Sequence, residues 1–312
     1  MSGRWSYGPE GPTLGELTPE QALRNLELIF RRRPDGMLQG ELPGLTPGPG
    51  TEPDETRAYI PGADDVRRMD WSATARTGEP HVRLTLADRE LTTWIVLDAT
   101  ASMDFGTARM EKRDLAVGAA AAVAFLTERA GNRLGAQLVR QDGLQRIPAL
   151  PGRAHLLRVL QTALQRPRGA PGPMPHTLAE ALTALRRAER RPGLVAVISD
   201  YLDDGWQQPL RALARRHQVL AVEVVDPREL ELPAVGLLTV VDPETGRLRE
   251  VPTYARGLRE RYADAALAQR AEIKASIRGA GAAHLRLRTD RDWVRDIVRY
   301  VAAQKRRAGG AA

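Results

Sequence analysis

Two short runs, Trp94–Leu97 and Leu194–Ile198, are apolar without interruption, and Val219–Val225 reads as a third buried strand. A strand buried on both faces has this pattern, whereas a half-buried strand alternates. His81–Leu86 alternates through Val82, Leu84 and Leu86, and predicts a half-buried strand that pairs with the run to Leu97 as a hairpin or sheet extension. Helical spacing fills the gaps. Glu111–Arg129 carries Ala, Leu and Phe around most of its surface, as a helix packed on several sides does. Arg153–Gln165, Thr177 to about Arg190, Gln207–Arg216 and Tyr254–Arg278 predict further helices, and Asp290 is read as the cap of a last one reaching about Ala303. Arg133–Val139 and Gln145–Ala149 predict strands around a QDG turn, Leu237–Val241 and Arg247–Val251 a hairpin around DPETG, and His284–Leu287 a final strand. Near the start, Thr18, Pro19 and Gln21 form a capped helix entry, with Leu23, Leu26, Leu28, Ile29 and Phe30 continuing it to about Arg33. Residues 34–55 are rich in Gly and Pro and read as a loop or linker.

Strands alternating with helices imply an α/β fold, a doubly wound and mostly parallel sheet with helices on both faces. The expected organisation is an N-terminal helix and linker over 1–56, a charged lead-in segment and strand over 57–90, the α/β domain over 91–304 with a hairpin insertion at 236–251, and a flexible tail over 305–312. In open sheets of this kind ligands bind beyond the carboxyl ends of the strands, where the strand order reverses. Asp98 and Asp200 each follow a predicted strand, so they become neighbours if their strands pair.

Composition narrows the classes. Hydrophobic residues make up 42% of the 312, enough for a sizeable core. No apolar run approaches the roughly 20 residues that span a membrane. The first residues, MSGRWSYGPEGP, do not resemble a secretory signal, and there is no cysteine for disulfides or thiolate metal sites. A cytoplasmic protein is expected. The net charge of +7 comes from 46 basic and 39 acidic residues, nearly all of the former arginine. Because arginines alternate with acids along the chain, an arginine-favouring genome explains them better than a nucleic-acid site, and nucleic-acid binding, with aromatics at only 4%, is kept as an alternative.

The chemistry concentrates in TTWIVLDATASMDFG, Thr92–Gly106. Asp98, Thr100 and Ser102 place oxygens at alternate positions after a strand, and a tight loop can aim them at one point. Hard divalent cations take oxygen ligands. Thr177 offers a hydroxyl from the loop before its helix, and Asp200 a second carboxylate. Each has a blander reading: Thr100, Ser102 and Thr177 as helix caps, Asp200 as a loop acid. Their joint placement at switch-point loops favours the cation.

Asp98-x-Thr100-x-Ser102 followed by Thr177 and Asp200 resembles the metal-ion-dependent adhesion site of von Willebrand factor A domains, with Thr100 in place of the usual serine. Tyr59–Thr77, Ile198–Asp204 and Asp226–Gly246 resemble the signatures of the bacterial "domain of unknown function 58" family. The resemblance implies a von Willebrand factor A-like, Rossmann-type domain. It also implies a divalent cation, Mg²⁺ first and Mn²⁺ or Ca²⁺ otherwise, on Asp98, Thr100, Ser102, Thr177 and Asp200, the last directly or through water. It further implies a MoxR-type AAA+ ATPase as partner, in chaperone-like maturation of a protein complex, with an unidentified client. Many members of the family carry N-terminal membrane helices, and this chain resembles a version without them.

A docking surface is drawn from Asp64, Asp65, Arg67, Arg68, Asp70 and Arg76, against the alternative that Met69 and Trp71 pack on the sheet while these charges pair together. Asp203 and Asp204 are placed at the rim of the crevice or as caps of the helix after Gly205. Enzymatic readings are weaker. A haloacid-dehalogenase-like phosphatase needs an acid where Thr100 stands and a lysine near it, and Lys112 and Lys274 lie inside predicted helices while Lys305 is near the tail. Ser102 lacks a G-x-S-x-G elbow. The five histidines lack metal spacing, and no G-x-x-x-x-G-K-[ST] loop is present for ATP.

Overall fold

The computed structural model describes residues 21, 24, 49–61, 66–86, 91–108, 110–129, 131–165, 176–241 and 248–309. They fall into two compact units, Pro43–Leu91 and the remainder of the chain. Of the N-terminal helix only Gln21 and Arg24 are among the described residues, and both are helical.

In the smaller unit β1 (Pro49–Ala58) pairs antiparallel with β2 (His81–Leu86), Ala58 opposite His81 and Glu52 opposite Leu86. The expected linker thus ends in a strand, and β2 takes β1 as its partner rather than the run to Leu97. Its prolines hide it: Pro53 sits where the register slips, a place where a missing N–H is tolerated. Between them lies α1 (Trp71–Thr77). Asp70 caps it, its Oδ1 accepting from the N–H groups of Ser72 and Ala73, both at 3.0 Å. Gly78 ends it at φ 75°, a left-handed conformation that glycine adopts without strain. Met69 bridges to Val82 through its backbone, whereas Trp71 is 69% exposed, so the alternative in which Trp71 packs on the sheet does not hold.

The larger unit is an α/β domain. Its strands are β3 (Thr92–Asp98), β4 (Arg133–Arg140), β5 (Gly143–Pro151), β6 (Leu194–Ser199), β7 (Gln218–Val225) and β10 (Ala283–Arg288). Their order is β10-β7-β6-β3-β4-β5, parallel except for the edge strand β5. The chain leaves β3 through α2 (Lys112–Leu126) toward β4, then returns through α3 (Arg153–Leu164) and α4 (Leu178–Ala188) to β6 on the other side of β3. The order reverses there, which is the switch point the apolar runs anticipated. The β7–β10 connection carries the hairpin β8 (Leu237–Val241) and β9 (Leu248–Pro252) and the long helix α6 (Arg256–Gly279). The DPETG turn lies outside the described residues.

One face of the sheet is covered by α4, α5 (Gln207–Ala214) and α6, whose Leu182, Leu185, Leu210, Leu213, Ile273 and Ile277 join Val96, Val195, Val197 and Ala221 in a continuous core. α2 packs on β3, β6 and β7 and against α3, and is buried without a break from Asp114 to Ala124. Its Gly118 lets the ring of Trp293 approach; Trp293 begins the last helix α7 (Trp293–Gly309). Asp292, not Asp290, caps that helix, its Oδ1 accepting from Arg295 N–H at 3.0 Å; Asp290 is bound instead to Arg288. The helix also runs on to Gly309, into residues expected to form a flexible tail.

Trp94, 2% exposed on β3, lies across β4 at Gly135, where an added Cβ would come within 2.7 Å of its ring. The ring has no room to retreat. Gly135→Ala is expected to destabilise the protein by about 1–3 kcal/mol, read as a lowered urea midpoint with an unchanged slope.

Candidate functional site

β3 and β6 are parallel neighbours, with Leu97 opposite Ile198, so both chains emerge together at the carboxyl edge of the sheet. Asp98 is 2% exposed. Its Oδ1 accepts from Thr100 N–H at 3.1 Å, and its Oδ2 from Ser199 Oγ–H at 2.6 Å. Thr100 Oγ1 and Ser102 Oγ stand 3.0 Å apart. Neither hydroxyl caps α2, whose N-cap is Glu111 and has no side-chain cap bond. The two hydroxyls and the carboxylate are therefore gathered at one place.

Asp200 lies one residue beyond β6 and is equally buried. The next residue, Tyr201, has φ 59°, rare for a bulky side chain. It is held there by burial, by its hydroxyl donating to Val197 O at 2.8 Å, by its N–H donating to Ser199 Oγ at 3.0 Å, and by the edge of Trp206 at 5.0 Å. This left-handed step ends the strand sharply, directly after Asp200. The loop after β3 is fixed from the far side by Asp226 at the end of β7. That carboxylate accepts from Thr107 N–H at 2.9 Å, Thr107 Oγ–H at 2.6 Å and Thr289 Oγ–H at 2.8 Å.

The largest departure from expectation is Lys112. It is the first residue of α2, 1% exposed, and its Nζ donates to Asp200 Oδ2 at 2.8 Å and to Glu229 Oε1. Its position inside a helix, taken above as removing it from the site, is what brings it there: α2 starts at the carboxyl edge of the sheet, and a first-turn side chain reaches the crevice. Beyond it a chain of buried ion pairs continues. Arg270 donates to Glu229 Oε2 at 2.8 Å, to the Asp200 carbonyl at 2.8 Å and to Glu223 Oε1 at 3.3 Å, and Glu223 also takes Arg286 and His284.

These contacts set the charge states. Burial pushes the Asp98 carboxyl up to about 6, and the charges of Asp200 and Asp203 add to the effect against the hydrogen bonds from Ser199 and Thr100. Burial acts on Asp200 in the same sense, but the Lys112 ammonium outweighs it and holds Asp200 below the ordinary carboxylate range. Burial would lower Lys112, and Asp200 and Glu229 reverse that and raise it. Glu223 and Asp226 are also held low, by cations and by hydroxyl and amide donors respectively. Among these four buried acids Asp98 alone is raised.

The other expected site residues fall as follows. Thr177 Oγ accepts from Glu180 N–H at 3.3 Å and caps α4. Asp203 Oδ2 accepts from Leu178 N–H at 3.4 Å, so it binds the start of α4, not the helix after Gly205, and Asp204 is exposed. Of the tentative docking charges, Asp64 and Asp65 lie outside the described residues, as does the side chain of Arg68. Asp70 is buried as the α1 cap and so is withdrawn from any exposed surface; Arg67 and Arg76 are exposed. Ser199, Tyr201, Glu229 and Arg270 carry no site signal in the sequence, and Lys112 is set aside there as a helix residue. For Lys112 a signal existed, a lysine in the charged first turn of a helix that is apolar from Leu115 onward.

Donor chemistry suits a hard cation at Asp98, Thr100 and Ser102, with Asp200 already bound to an ammonium. Among the described residues no three His, Asp or Glu side chains are grouped as a metal cluster. A cavity of about 300 Å³ lies elsewhere, lined by Ala124, Asn132, Leu134 and Leu156 at the amino end of β4. Among the described residues no helix is long and apolar enough to cross a membrane.

Comparison with known proteins gives relatives without an assigned activity. Uncharacterized proteins of Mycobacterium bovis and Mycobacterium tuberculosis are each 54% identical over 291 residues, covering 92% of this chain and 90% of theirs. Among solved structures, a conserved hypothetical protein BatB from Bacteroides thetaiotaomicron aligns at 14% identity over 70% of this chain and 99% of its own, with a TM-score of 0.42. The SpRpn10 VWA domain aligns at 11% identity over 67% and 94%, with a TM-score of 0.37. Likeness at that level carries nothing about function. The family described as "Protein of unknown function DUF58" matches residues 55–272, the stretch from the last residues of β1 through β9 that includes Asp98, Lys112 and Asp200, and the chain belongs to that family.

Proposed function

We propose that this chain is a non-enzymatic protein-binding module whose crevice takes a divalent cation, Mg²⁺ or a similar ion. Asp98, Thr100 and Ser102 would hold it, Thr177 would add a hydroxyl by leaving its cap, and Asp200 would act through water because Lys112 holds its Oδ2. The observation that carries this reading is Asp98: a buried carboxylate at a switch point, beside two adjacent hydroxyls, held above its ordinary range. A cation would supply the counter-charge that burial denies Asp98. The ion would polarise and orient groups presented by a partner. The partner itself, a MoxR-type AAA+ ATPase acting in maturation of a protein complex, is supported by the family resemblance.

One observation favours a second reading. A phosphoryl-transfer hydrolase wants a lysine beside its acids, and Lys112 stands on Asp200. Thr100 in place of the second acid argues against it. Mg²⁺-dependent turnover of p-nitrophenyl phosphate that disappears in Asp98→Asn would establish this reading over the first.

In calorimetry, Asp98→Ala is expected to abolish Mg²⁺ or Mn²⁺ binding; unchanged affinity would remove the site assignment. The pH dependence has a definite sign. Asp98 holds its proton more tightly folded, at about 6, than the ordinary 3.8. Its contribution to stability is therefore full below the lower value and lost as pH rises through the upper one. Asp98→Asn lacks this loss, so its Tm advantage over the unmodified protein should grow between pH 5 and pH 7, and saturating Mg²⁺ should shrink it at pH 7. A constant difference across that range would contradict the assigned burial. A MoxR-type ATPase from the same genome is expected to co-purify with the tagged chain and to be released by EDTA. Retention in EDTA would mean that the ion is not the bridge, and failure to co-purify with any nucleotide would remove the partner.

A further inference from the structure

Lys112 sits where its own helix disfavours it. The amino end of a helix carries partial positive charge, and a cation in the first turn is destabilised by it. Burial penalises the ammonium further. Such a residue needs a compensating role, and two are open: positioning the carboxylates it touches, or altering the charge of the crevice.

The hydrogen bonds separate these roles. Asp200 is anchored without Lys112, by Leu202 N–H to its Oδ1 at 3.2 Å and by Arg270 to its backbone carbonyl at 2.8 Å. Tyr201 fixes the turn that follows. Glu229 is likewise held by Arg270 at 2.8 Å and by Asp226 N–H at 3.1 Å. Both carboxylates keep their places through other contacts, and what Lys112 alone supplies is one positive charge, buried beside an acid of the crevice.

We propose that Lys112 is a resident counter-cation that sets how tightly the crevice takes a divalent ion. This rests on the cation reading above. By pairing with Asp200, Lys112 removes one of the two strand-end carboxylates from the negative charge an incoming ion meets. The ammonium also repels the ion directly. The site is thereby held at weak, exchangeable affinity, and removing the charge converts it into a tight one.

The test is a Mn²⁺ titration of the full chain at fixed ionic strength, comparing the unmodified protein with Lys112→Met, Lys112→Gln and Lys112→Arg, each also carrying Asp98→Ala. The two neutral variants are expected to bind Mn²⁺ about tenfold tighter or more, and Lys112→Arg to stay near the unmodified affinity. All tightening should vanish with Asp98→Ala. Binding that is unchanged or weaker in the neutral variants would show a positioning residue and overturn the inference while leaving the cation reading intact. Tightening that survives Asp98→Ala would place the ion on Asp200 and Glu229 alone, and would also overturn it. Absence of Mn²⁺ binding in every protein would bring down both the inference and the cation reading. Thermal melts of each variant accompany the titration; if both neutral variants fail to fold while Lys112→Arg folds, the ammonium is structural and the inference fails.

Discussion

The structure turns on the parallel pairing of β3 with β6. Once those strands lie side by side in register, Asp98 and Asp200 emerge together at the edge of the sheet, buried and alike in charge. Two such carboxylates cannot both ionise freely in a poorly solvated place. Much of what surrounds them answers that constraint. Lys112 is drawn to one acid against the polarity of its own helix, the other is left with neutral donors, and the turn after β6 is held in a conformation that tyrosine rarely adopts.

Removing one partner from a buried ion pair typically destabilises by about 3–5 kcal/mol, whereas an apolar replacement of the whole group is often neutral. A chain selected for stability alone would have little reason to keep Lys112, Asp200, Glu229, Arg270 and Glu223 beneath the crevice. Their arrangement is ordered by position. Glu223, fully enclosed at the end of β7, is served by Arg270, Arg286 and His284, and Glu229 by Lys112 and Arg270. The cations thin out toward β3, and the series ends at Asp98.

Those same features explain what could be read from the chain. The sheet was legible because strands buried on both faces leave short apolar runs, while the longer run Leu115–Leu126 has the length of a helix. The carboxyl-end acids were legible because the fold class fixes which strand ends carry ligands. β1 was not, since its Pro and Gly content outweighs its extended, charged pattern and its pairing depends on β2 alone. Asp290 and Asp292 could not be told apart as caps, because the choice depends on Arg288 reaching Asp290 first. Lys112 was passed over through an error of geometry. A helix interior excludes a side chain from a site only if the helix does not begin at that site.

That error bears on how the enzymatic alternative is weighed. With Lys112 placed on Asp200, the objection from a missing lysine falls, and the one that stands is Thr100. The threonine hydroxyl lies 3.0 Å from Ser102 Oγ, and its backbone N–H is bound to Asp98. A hydroxyl in that position can ligate an ion but cannot exchange a proton with a leaving group as a carboxyl can near neutral pH. Asp98 itself could attack as a nucleophile only when ionised, and burial opposes ionisation below about pH 6. Burial therefore weakens Asp98 as a nucleophile at acidic pH and favours any counter-cation that reaches it.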